Sequence, residues 1–271
     1  MKRLYFFTRI GGKHRVAAQI VDMFPPEGVD TYVEPFAGSA QVFLYMASPS
    51  CGCRLLQRST KIVLNDVDRD IYFLWKDVKH VDPKKMEAMP WKGDRSLFYH
   101  FKNLPFSPHE DPHQRLFRNL YLSYYSFSGD KSGGYAAKPQ IRGKHFLTTL
   151  PLLQQALKKA VILNKDYRKV MEKYDSPTTF FYIDPPYMGK ENLYEGHGVP
   201  PLELLETCRK LKGKFVMSYN RDPHVEQLFA KHFHLYVIEV PYISTIQKSH
   251  VQELLITNYA FSTWAVKAQD G

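Results

Sequence analysis

The alternation of short apolar runs with helical segments is the feature of this 271-residue chain that most constrains its fold. Apolar runs of strand length occur at residues 31–34, 61–66, 160–163, 179–183, 214–218, 235–240 and 253–259. Helical patterns lie between most of them, at 12–24, 42–46, 68–78, 167–174, 200–211 and 223–233. Such alternation predicts an α/β fold with a doubly wound, mainly parallel, Rossmann-like sheet. Its last two strands, joined by a short loop, are predicted to form an antiparallel edge hairpin.

The segment between the second and third predicted strands differs from the rest of the chain. It is polar and proline-rich, with helical patterns at 94–103 and 111–127 and a loop rich in glycine, lysine and serine at 128–144. We predict that residues 76–159 form an inserted, mostly helical subdomain, and that 1–75 and 160–271 form the main domain.

The net charge of +10 is concentrated in that insert. Residues 76–159 hold 15 Lys and Arg against 7 Asp and Glu, a balance of +8, and the remaining 187 residues contribute only +2. A local basic excess interleaved with Tyr and Phe favours a nucleic-acid partner. A charged surface that only maintains solubility is the alternative.

Cysteine and hydropathy exclude several classes of protein. Cys51, Cys53 and Cys208 match neither a disulfide framework nor a four-ligand zinc site, and the eleven histidines lack ligand spacing, so no metal is predicted. No apolar run is long enough to span a bilayer, and the apolar start of the chain is interrupted too early for a secretory signal. We expect a soluble protein that is cytoplasmic or nuclear.

The tetrapeptide Asp184-Pro185-Pro186-Tyr187 directly follows the apolar run 179–183. This order suits methylation of an amino group on a flat base, because the amine's lone pair is delocalised into the ring and must be localised by hydrogen bonds. Asp184 can accept one N–H and the Pro185 carbonyl the other, while the two prolines stiffen the loop and Tyr187 offers a stacking face. A strand that ends in a plain proline turn is the alternative.

Two other predicted strands end in residues suited to a cofactor. Residues 35–40 (PFAGSA) form a small-residue turn between a strand and a helix, which can place a cofactor at the helix N-terminus. Asp66 ends the second strand, where doubly wound folds bind ribose hydroxyls. Each feature alone is a weak signal.

Five segments then occur in a diagnostic order: Gly11-Gly12-Lys13, residues 33–39 (VEPFAGS), Leu64-Asn65-Asp66, Asp184-Pro185-Pro186-Tyr187 and Glu253-Leu254-Leu255. This order resembles that of Dam-type, D12-class DNA adenine N6-methyltransferases. The resemblance implies S-adenosyl-L-methionine as methyl donor, transfer to N6 of a flipped-out adenine in double-stranded DNA, and target recognition by the insert. By position, the resemblance assigns a cofactor-binding role to these residues: Arg9, Lys13, Glu34, Phe36, Gly38, Asp66 and Asp184. It assigns to the catalytic loop Asp184, Pro185, Pro186 and Tyr187.

Three departures from the family pattern matter. Arg9 and Ile10 stand where an aromatic residue usually precedes the lysine, so stacking on the cofactor is absent or comes from Phe7. Ala40 replaces a frequent glycine, which a tight turn tolerates if φ is negative. Residues 126–135 match the family's DNA-contacting segment only loosely, so the recognition sequence does not carry over.

The DNA contacts are predicted from charge and position. The basic candidates are Arg115, Arg118, Lys131, Lys138, Arg142, Lys144 and, in the polar loop between the last two strands, Lys248. Tyr125 is a candidate base contact, although it follows a helical apolar face and a core position is the alternative. Ser218, Tyr219 and Asn220 end a strand, where they either line the target pocket or cap the next helix.

Rival functions remain open at this point. The same acceptor geometry serves an N4-cytosine or RNA-adenine methyltransferase, whereas protein glutamine methyltransferases prefer Asn at the position of Asp184. A catalytically silent nucleic-acid-binding protein is a rival from another class. We expect double-stranded DNA as partner and a monomer or weak dimer.

Overall fold

A seven-stranded sheet forms the centre of the chain in the computed structural model, which describes residues 4, 6–7, 11–48, 51, 55–57, 59–127, 133–137, 141–187, 198–243 and 248–261. The strands are β1 (Thr31–Glu34), β2 (Lys61–Asn65), β3 (Val161–Leu163), β4 (Thr179–Ile183), β5 (Lys214–Asn220), β6 (His234–Ile243) and β7 (Lys248–Thr257). Their order across the sheet is β3-β2-β1-β4-β5-β7-β6. The first five strands are parallel, and β7 runs antiparallel to both β5 and β6. The predicted doubly wound sheet with an antiparallel edge is confirmed.

The sheet separates two buried layers because successive side chains of a strand point to opposite faces. In β4, Phe180 and Tyr182 pack into one layer and Phe181 and Ile183 into the other. All five residues of β4 are buried, which explains why this strand reads as a continuous apolar run.

Helices cover both faces. They are α1 (Ala17–Asp22), α2 (Gln41–Ala47), α3 (Arg69–Val78), α4 (Pro83–Glu87), α5 (Arg95–Asn103), α6 (Pro112–Tyr125), α7 (Ile141–Leu157), α8 (Tyr167–Tyr174), α9 (Pro201–Cys208) and α10 (Pro223–Ala230). Six of them begin after an aspartate whose carboxylate accepts backbone N–H groups of the first turn, namely Asp68, Asp82, Asp94, Asp111, Asp166 and Asp222. Such caps satisfy donors that a helix start otherwise leaves open.

Three helices differ from the prediction. Helix α7 begins inside the predicted loop 128–144 and continues to Leu157 with Pro151 in its interior. Tertiary contacts outweigh the glycine and proline there: an added Cβ at Gly143 would meet Trp91 at 2.9 Å, and Phe146, Leu150 and Leu153 are fully buried. Helix α4 was not predicted, and α1 is shorter than the predicted 12–24.

The inserted helices are not separate from the sheet. Phe146, Leu153 and Leu157 of α7 belong to the same buried cluster as Phe6 and Trp75. The predicted boundary between residues 75 and 76 also falls inside α3. Within the part of the chain that is described, no helix is long and apolar enough to cross a membrane.

Candidate active site

A cavity of about 350 Å³ opens at the carboxyl ends of the parallel strands. Its walls come from the loops that follow β1, β2, β3 and β4, together with residues 11–13 and 198–203. Doubly wound folds bind ligands at this edge, and the volume is within the range of about 300–1,000 Å³ for small-molecule sites.

The loop after β1 is shaped for close approach of a ligand. Gly38 has a φ of +46° and lines the cavity, and a Cβ added there would meet no atom within 4 Å. The Gly38 N–H donates to Asp66 Oδ2 at 2.8 Å, and its carbonyl accepts from Trp75 Nε1 at 2.8 Å. Asp66 thus holds the loop from the end of the neighbouring strand while its carboxylate lines the same cavity.

Ala40 adopts an unusual backbone conformation in this loop. Its φ is +41°, so the turn is left-handed, and the condition of a negative φ under which the turn tolerates an alanine is not met. A non-glycine residue in this region carries about 1–2 kcal/mol of strain, because its Cβ crowds the following carbonyl.

Asn65 fastens three of the loops that surround the cavity. Its side-chain amide donates to the carbonyls of Pro35 at 2.8 Å and Lys165 at 3.0 Å, and its Oδ1 accepts from the Lys165 N–H at 2.9 Å. The backbone carbonyl of Asn65 also accepts from the Ala37 N–H at 2.7 Å. Asn65 stood inside a recognised motif, but its role was not predicted.

Glu34, at the end of β1, is a buried carboxyl on the cavity wall. Its Oε1 accepts from the Tyr32 hydroxyl at 2.7 Å and from the Phe43 N–H at 3.0 Å. Burial is the main cause that raises the pKa of Glu34 to about 8, against the lowering effect of these two donors. Glu34 is therefore largely protonated at neutral pH.

Lys13 from the first sequence motif, Asp184 from the fourth and Glu253 from the fifth meet in one cluster. Lys13 Nζ lies 2.9 Å from Asp184 Oδ1 and 3.0 Å from Glu253 Oε1. It also donates to the Tyr187 hydroxyl at 2.7 Å and to the Gly11 carbonyl at 3.1 Å. The Tyr187 hydroxyl in turn donates to Glu253 Oε1 at 2.6 Å. Glu253 belonged to a recognised motif but was not predicted as a site residue.

Strand β5 supports the Asp184 carboxylate from the other side. Ser218 donates to Asp184 Oδ1 at 2.9 Å, and the Tyr182 hydroxyl lies 2.9 Å from Ser218 Oγ. Because Ser218 gives its own hydrogen to Asp184, Tyr182 is the donor in the second bond. Counting the described residues only, every bond to this carboxylate ends on Oδ1, so Oδ2 is left to accept from a ligand.

The electrostatics of this cluster favour a bound cation. Burial by itself lowers the pKa of Lys13, but the carboxylates of Asp184 and Glu253 outweigh burial and raise it above 10.5. Burial and the same two carboxylates raise the pKa of Tyr187 well above 10. One ammonium, two carboxylates and a neutral phenol give the cluster a formal charge of −1.

Aromatic rings line the part of the cavity next to β3. The rings of Phe36 and Tyr167 lie 4.8 Å apart, and both residues line the cavity. The Tyr167 hydroxyl donates to Glu203 Oε1 at 2.7 Å, and Arg168 Nη1 lies 3.2 Å from the same oxygen. Tyr167 was not predicted as a site residue, although its place after the carboxyl end of β3 could have indicated this role.

Two predicted DNA contacts are wrong. Arg115 is only 3% exposed, and its Nε and Nη2 bond to Asp77 at 2.7 Å each, while Nη1 donates to the carbonyls of Pro108 and Glu110. Arg118 is also buried, with Nη2 2.8 Å from Glu110 Oε2. Both guanidinium groups hold the insert together and do not face a phosphate.

The predicted base contact by Tyr125 is also contradicted. Its ring is 2% exposed, its hydroxyl donates to the Trp91 carbonyl at 2.6 Å, and its ring centroid lies 4.7 Å from that of Tyr121. Phe7 is likewise buried against Phe6 and Trp75 and does not line the cavity, so it offers no stacking face to a cofactor.

Other predicted residues are exposed or lie outside the described residues. Lys144 is exposed at the start of α7. Arg9, Lys131 and Lys138 lie outside the described residues, as do the side chains of Arg142 and Lys248. All the other residues that the resemblance assigned to cofactor and catalysis line the one cavity, namely Lys13, Glu34, Phe36, Gly38, Asp66, Asp184, Pro185, Pro186 and Tyr187.

Comparison with known proteins bears on this site. The family model for D12 class N6 adenine-specific DNA methyltransferase matches residues 10–242. The chain is 25% identical to the type II methyltransferase M.MjaIII of Methanocaldococcus jannaschii, over 94% of this chain and 98% of that protein. It is 23% identical to the type II methyltransferase M.CviBI of Paramecium bursaria Chlorella virus NC1A, over 83% of this chain and 85% of that protein.

Solved structures are more distant. The rRNA methyltransferase aviRa from Streptomyces viridochromogenes is similar with a TM-score of 0.41 and 14% identity, over 90% of this chain and 84% of that chain. This likeness is too weak to carry an argument.

Proposed function

The chain belongs to the D12 class N6 adenine-specific DNA methyltransferase family, and we propose on that basis that the segment from Asp184 to Tyr187 aligns the adenine amino group for methyl transfer. The observation that carries the proposal is the Asp184 carboxylate. It lines the cavity, its Oδ1 is held by Lys13 and Ser218, and its Oδ2 is left to accept.

The cavity fits S-adenosyl-L-methionine, the methyl donor of this family. The open space above Gly38 accommodates close approach of a ligand, and Asp66 provides carboxylate oxygens for ribose hydroxyls. Phe36 and Tyr167 offer apolar faces for an adenine ring. When bound, the donor supplies an electrophilic methyl group on a sulfonium, and the net negative cluster around Asp184 matches that positive charge.

The protein's own contribution is alignment and charge. Asp184 Oδ2 and the Pro185 carbonyl each accept one N–H of the adenine amino group, which localises the nitrogen lone pair toward the incoming methyl. The rigid Pro185-Pro186 backbone keeps these two acceptors in fixed positions, so little reorganisation is needed. As the nitrogen gains positive charge, the same oxygens stabilise it. The methylated amino group then gives one proton to Asp184 Oδ2, which passes it to water, and N6-methyladenine and the neutral thioether leave.

We also propose that the target base is flipped out of a DNA duplex. An amino group inside the stack cannot reach a carboxylate on the wall of a cavity, and flipping costs a few kcal/mol. The ring of Tyr187, which lies 4.9 Å from that of Tyr219, offers a stacking face for the flipped base. Such stacking contributes roughly 1–3 kcal/mol.

A new DNA-facing surface replaces the buried arginines. We name the insert surface after its exposed members: Lys92, Arg95, Tyr99, Lys102, Phe127 and Lys144. Phe127 is 72% exposed and follows α6, and its N–H donates to the Gly134 carbonyl. Lys102 donates to the neighbouring Gly133 carbonyl at 2.8 Å. Exposed cations together with an exposed aromatic ring suit phosphates and an opened base pair.

Contacts connect the insert surface with the cavity. The Tyr124 hydroxyl, near the end of α6, donates to the Phe6 carbonyl at 2.8 Å. The next residue, Phe7, accepts at its carbonyl from Gln41 Nε2, and Gln41 lines the cavity. These bonds join the end of α6 to the cavity wall, and we propose that a duplex bound by the insert surface reaches the cavity. Residues 76–159 remain our proposal for the target-recognition subdomain.

The relatives suggest the finer role. Since two of them are named type II methyltransferases, we propose that this chain methylates adenine within one specific sequence, as part of restriction and modification. Action on genomic or viral DNA places it in the cytoplasm or a nucleus, and we propose a monomer or weak dimer, which sedimentation of the purified protein tests.

The decisive experiment uses S-adenosyl-L-methionine labelled in the methyl group. Purified protein is incubated with unmethylated genomic DNA, the DNA is digested to nucleosides, and the labelled base is identified. Label in N6-methyladenine supports the proposal, and sequencing then gives the recognition site. Label in cytosine or in RNA, or no transfer despite binding of the donor, would contradict it.

A further inference from the structure

We propose that Glu253 gives the cavity its preference for the charged sulfonium donor over the neutral thioether product. This inference rests on the proposed function, since it concerns the donor and product of that reaction. It assigns to the last strand of the sheet a role in product release: the product is bound less tightly than the donor because one negative charge no longer has a cation to face.

Glu253 acts through other residues. It does not line the cavity and is 7% exposed, at the β7 position that pairs with Asn220 of β5. Its Oε1 accepts from Lys13 Nζ at 3.0 Å and from Tyr187 at 2.6 Å. Both Lys13 and Tyr187 do line the cavity.

The formal charges explain why a second carboxylate is needed. Lys13 and Asp184 alone sum to zero, so this pair by itself would give the cavity wall beside Asp184 no net charge with which to favour a cation. Glu253 neutralises Lys13 and leaves the charge of Asp184 uncompensated. The Tyr187 hydroxyl has one hydrogen, which it donates to Glu253 at 2.6 Å, whereas Asp184 lies 3.2 Å away. Asp184 therefore keeps most of its capacity to accept hydrogen bonds from a ligand.

Glu34 does not supply this charge. It lines the same cavity, but its buried carboxyl has a pKa of about 8 and holds its proton at neutral pH. Asp66 bonds to the backbone N–H groups of Gly38 and Asp68, in the loops after β1 and β2. In the described part of the Lys13 cluster, Glu253 is thus the carboxylate that changes the sign of the net charge.

The test compares two matched ligands. S-adenosyl-L-methionine and S-adenosyl-L-homocysteine differ by one methyl group and one positive charge, and calorimetry without DNA gives the Kd of each. One unit charge in a partly buried site changes a binding constant by roughly tenfold. Glu253→Gln is therefore expected to weaken the donor about tenfold and the product less than twofold. Glu239→Gln, which removes the same charge from an exposed site on the same hairpin, is expected to change neither.

Lys13→Met gives the opposite test. It makes the formal charge of the cluster more negative, from −1 to −2, so the ratio of product Kd to donor Kd is expected to rise about tenfold. In the Lys13→Met and Glu253→Gln double variant the charge returns to −1, and the wild-type ratio is expected to return although both ion pairs are lost. This pair of variants keeps the test valid if Glu253→Gln alone does not fold.

Several results would overturn the inference. Equal weakening of both ligands in Glu253→Gln indicates a structural role, and an unchanged ratio in Glu253→Gln or in Lys13→Met removes the electrostatic one. The labelled-methyl experiment tests the proposed function separately. If the wild-type protein binds the donor but does not methylate adenine, the proposed function is wrong, whereas the charge preference can still hold. Wild type that methylates adenine while Glu253→Gln keeps its ratio sinks this inference alone.

Discussion

Lys13 in the cavity and Arg115 in the insert are both buried cations held by carboxylates, yet they differ in the number of carboxylates that they meet and in whether they face a cavity. Arg115 meets one aspartate, in a two-point pair closed by backbone carbonyls, and its guanidinium lies over the ring of Phe73 at 4.2 Å. Lys13 meets two carboxylates and lines an open cavity. The first arrangement balances its charges internally, whereas the second leaves a negative charge and a free carboxylate oxygen.

The difference separates structural from chemical ion pairs. A buried pair whose two charges cancel and that faces no cavity can only stabilise the fold, because no donor, acceptor or net charge remains for a ligand. A cluster with unequal charges beside a cavity keeps a charge for a ligand, at some expense of stability. Two changes test this distinction directly, and three more test other features of the site and the insert.

The largest expected effect is on catalysis at Asp184. Asp184→Ala removes the acceptor for the adenine amino group, and methyl transfer is expected to fall by at least about 10³-fold, as when a preorganised polar group is lost from an active site. Single-turnover transfer of labelled methyl measures it. Asp30→Ala, an exposed aspartate before β1 at the other edge of the sheet, is the control and should retain full turnover. Near-normal turnover of Asp184→Ala would remove the catalytic assignment.

Arg115→Met should instead affect stability. Removing one partner of a buried pair leaves Asp77 uncompensated, and the expected loss in the free energy of unfolding is about 3–5 kcal/mol. Urea unfolding gives the value, with exposed Lys84→Met as the control. A stable variant whose DNA affinity becomes less salt-dependent would return Arg115 to the DNA-contacting residues.

The third change concerns pH. In the folded state Glu34 keeps its proton up to about pH 8, whereas in the unfolded chain it loses it near its ordinary value of 4.5. The folded state thus binds more protons between these values, and stability falls as pH rises through this window. Glu34→Gln keeps an acceptor for Tyr32 and Phe43 but cannot ionise. Relative to wild type it should gain up to about 1.4 kcal/mol per pH unit within the window.

Urea unfolding at pH 5, 6.5 and 8 measures this difference. Parallel pH curves for wild type and Glu34→Gln would show that Glu34 ionises normally in the folded protein. The matched comparison is Glu206→Gln, an exposed carboxylate on α9, whose curve should follow that of wild type.

The fourth change tests the insert surface. Arg95→Ala with Lys144→Ala removes two exposed cations, and the slope of log affinity against log salt should become shallower by about 2. Lys210→Ala with Lys212→Ala, exposed near the start of β5, is the control with the same charge change. Equal effects of the two pairs would mean that overall charge, and not this surface, governs DNA affinity.

The smallest expected effect is at Ala40. Glycine adopts a φ of +41° without the crowding that alanine suffers, so Ala40→Gly should stabilise the protein by about 1 kcal/mol. Ala37→Gly in the same loop, where φ is not positive, should be neutral or destabilising. Thermal unfolding of both variants provides the comparison, and destabilisation by Ala40→Gly would contradict the strained turn.

The sequence predicts much of the fold because buried strands and capped helices carry local signals. The bounds of β1, β4 and α8 match the prediction residue for residue. Helix α7 escaped it because contacts with Trp91 and the buried cluster override the glycine at 143 and the proline at 151. Such contacts join residues far apart in sequence, and no local pattern records them.

Site residues were predicted where a sequence motif contains them. Roles were missed where they depend on which residue is the partner in an ion pair. Asp184 and Lys13 could be named from their motifs. The structural role of Arg115 could not be predicted, because it depends on an ion pair with Asp77. That residue is 38 positions away and cannot be distinguished in sequence from an acid on the surface. Glu253 could have been suspected, as an acid that opens the apolar run of β7, but its partner Lys13 lies at the other end of the chain.

The position of β7 has a consequence for synthesis on the ribosome. Among the described strands β7 is the last to be made, yet it lies inside the sheet, between β5 and β6. Until it emerges, β5 has an open edge, β6 has no strand to pair with, and Lys13 lacks Glu253. The unfinished chain is therefore exposed to edge pairing with other chains, and its site is complete only once the chain reaches β7. An enzyme that modifies DNA thus cannot become active before β7 has been made.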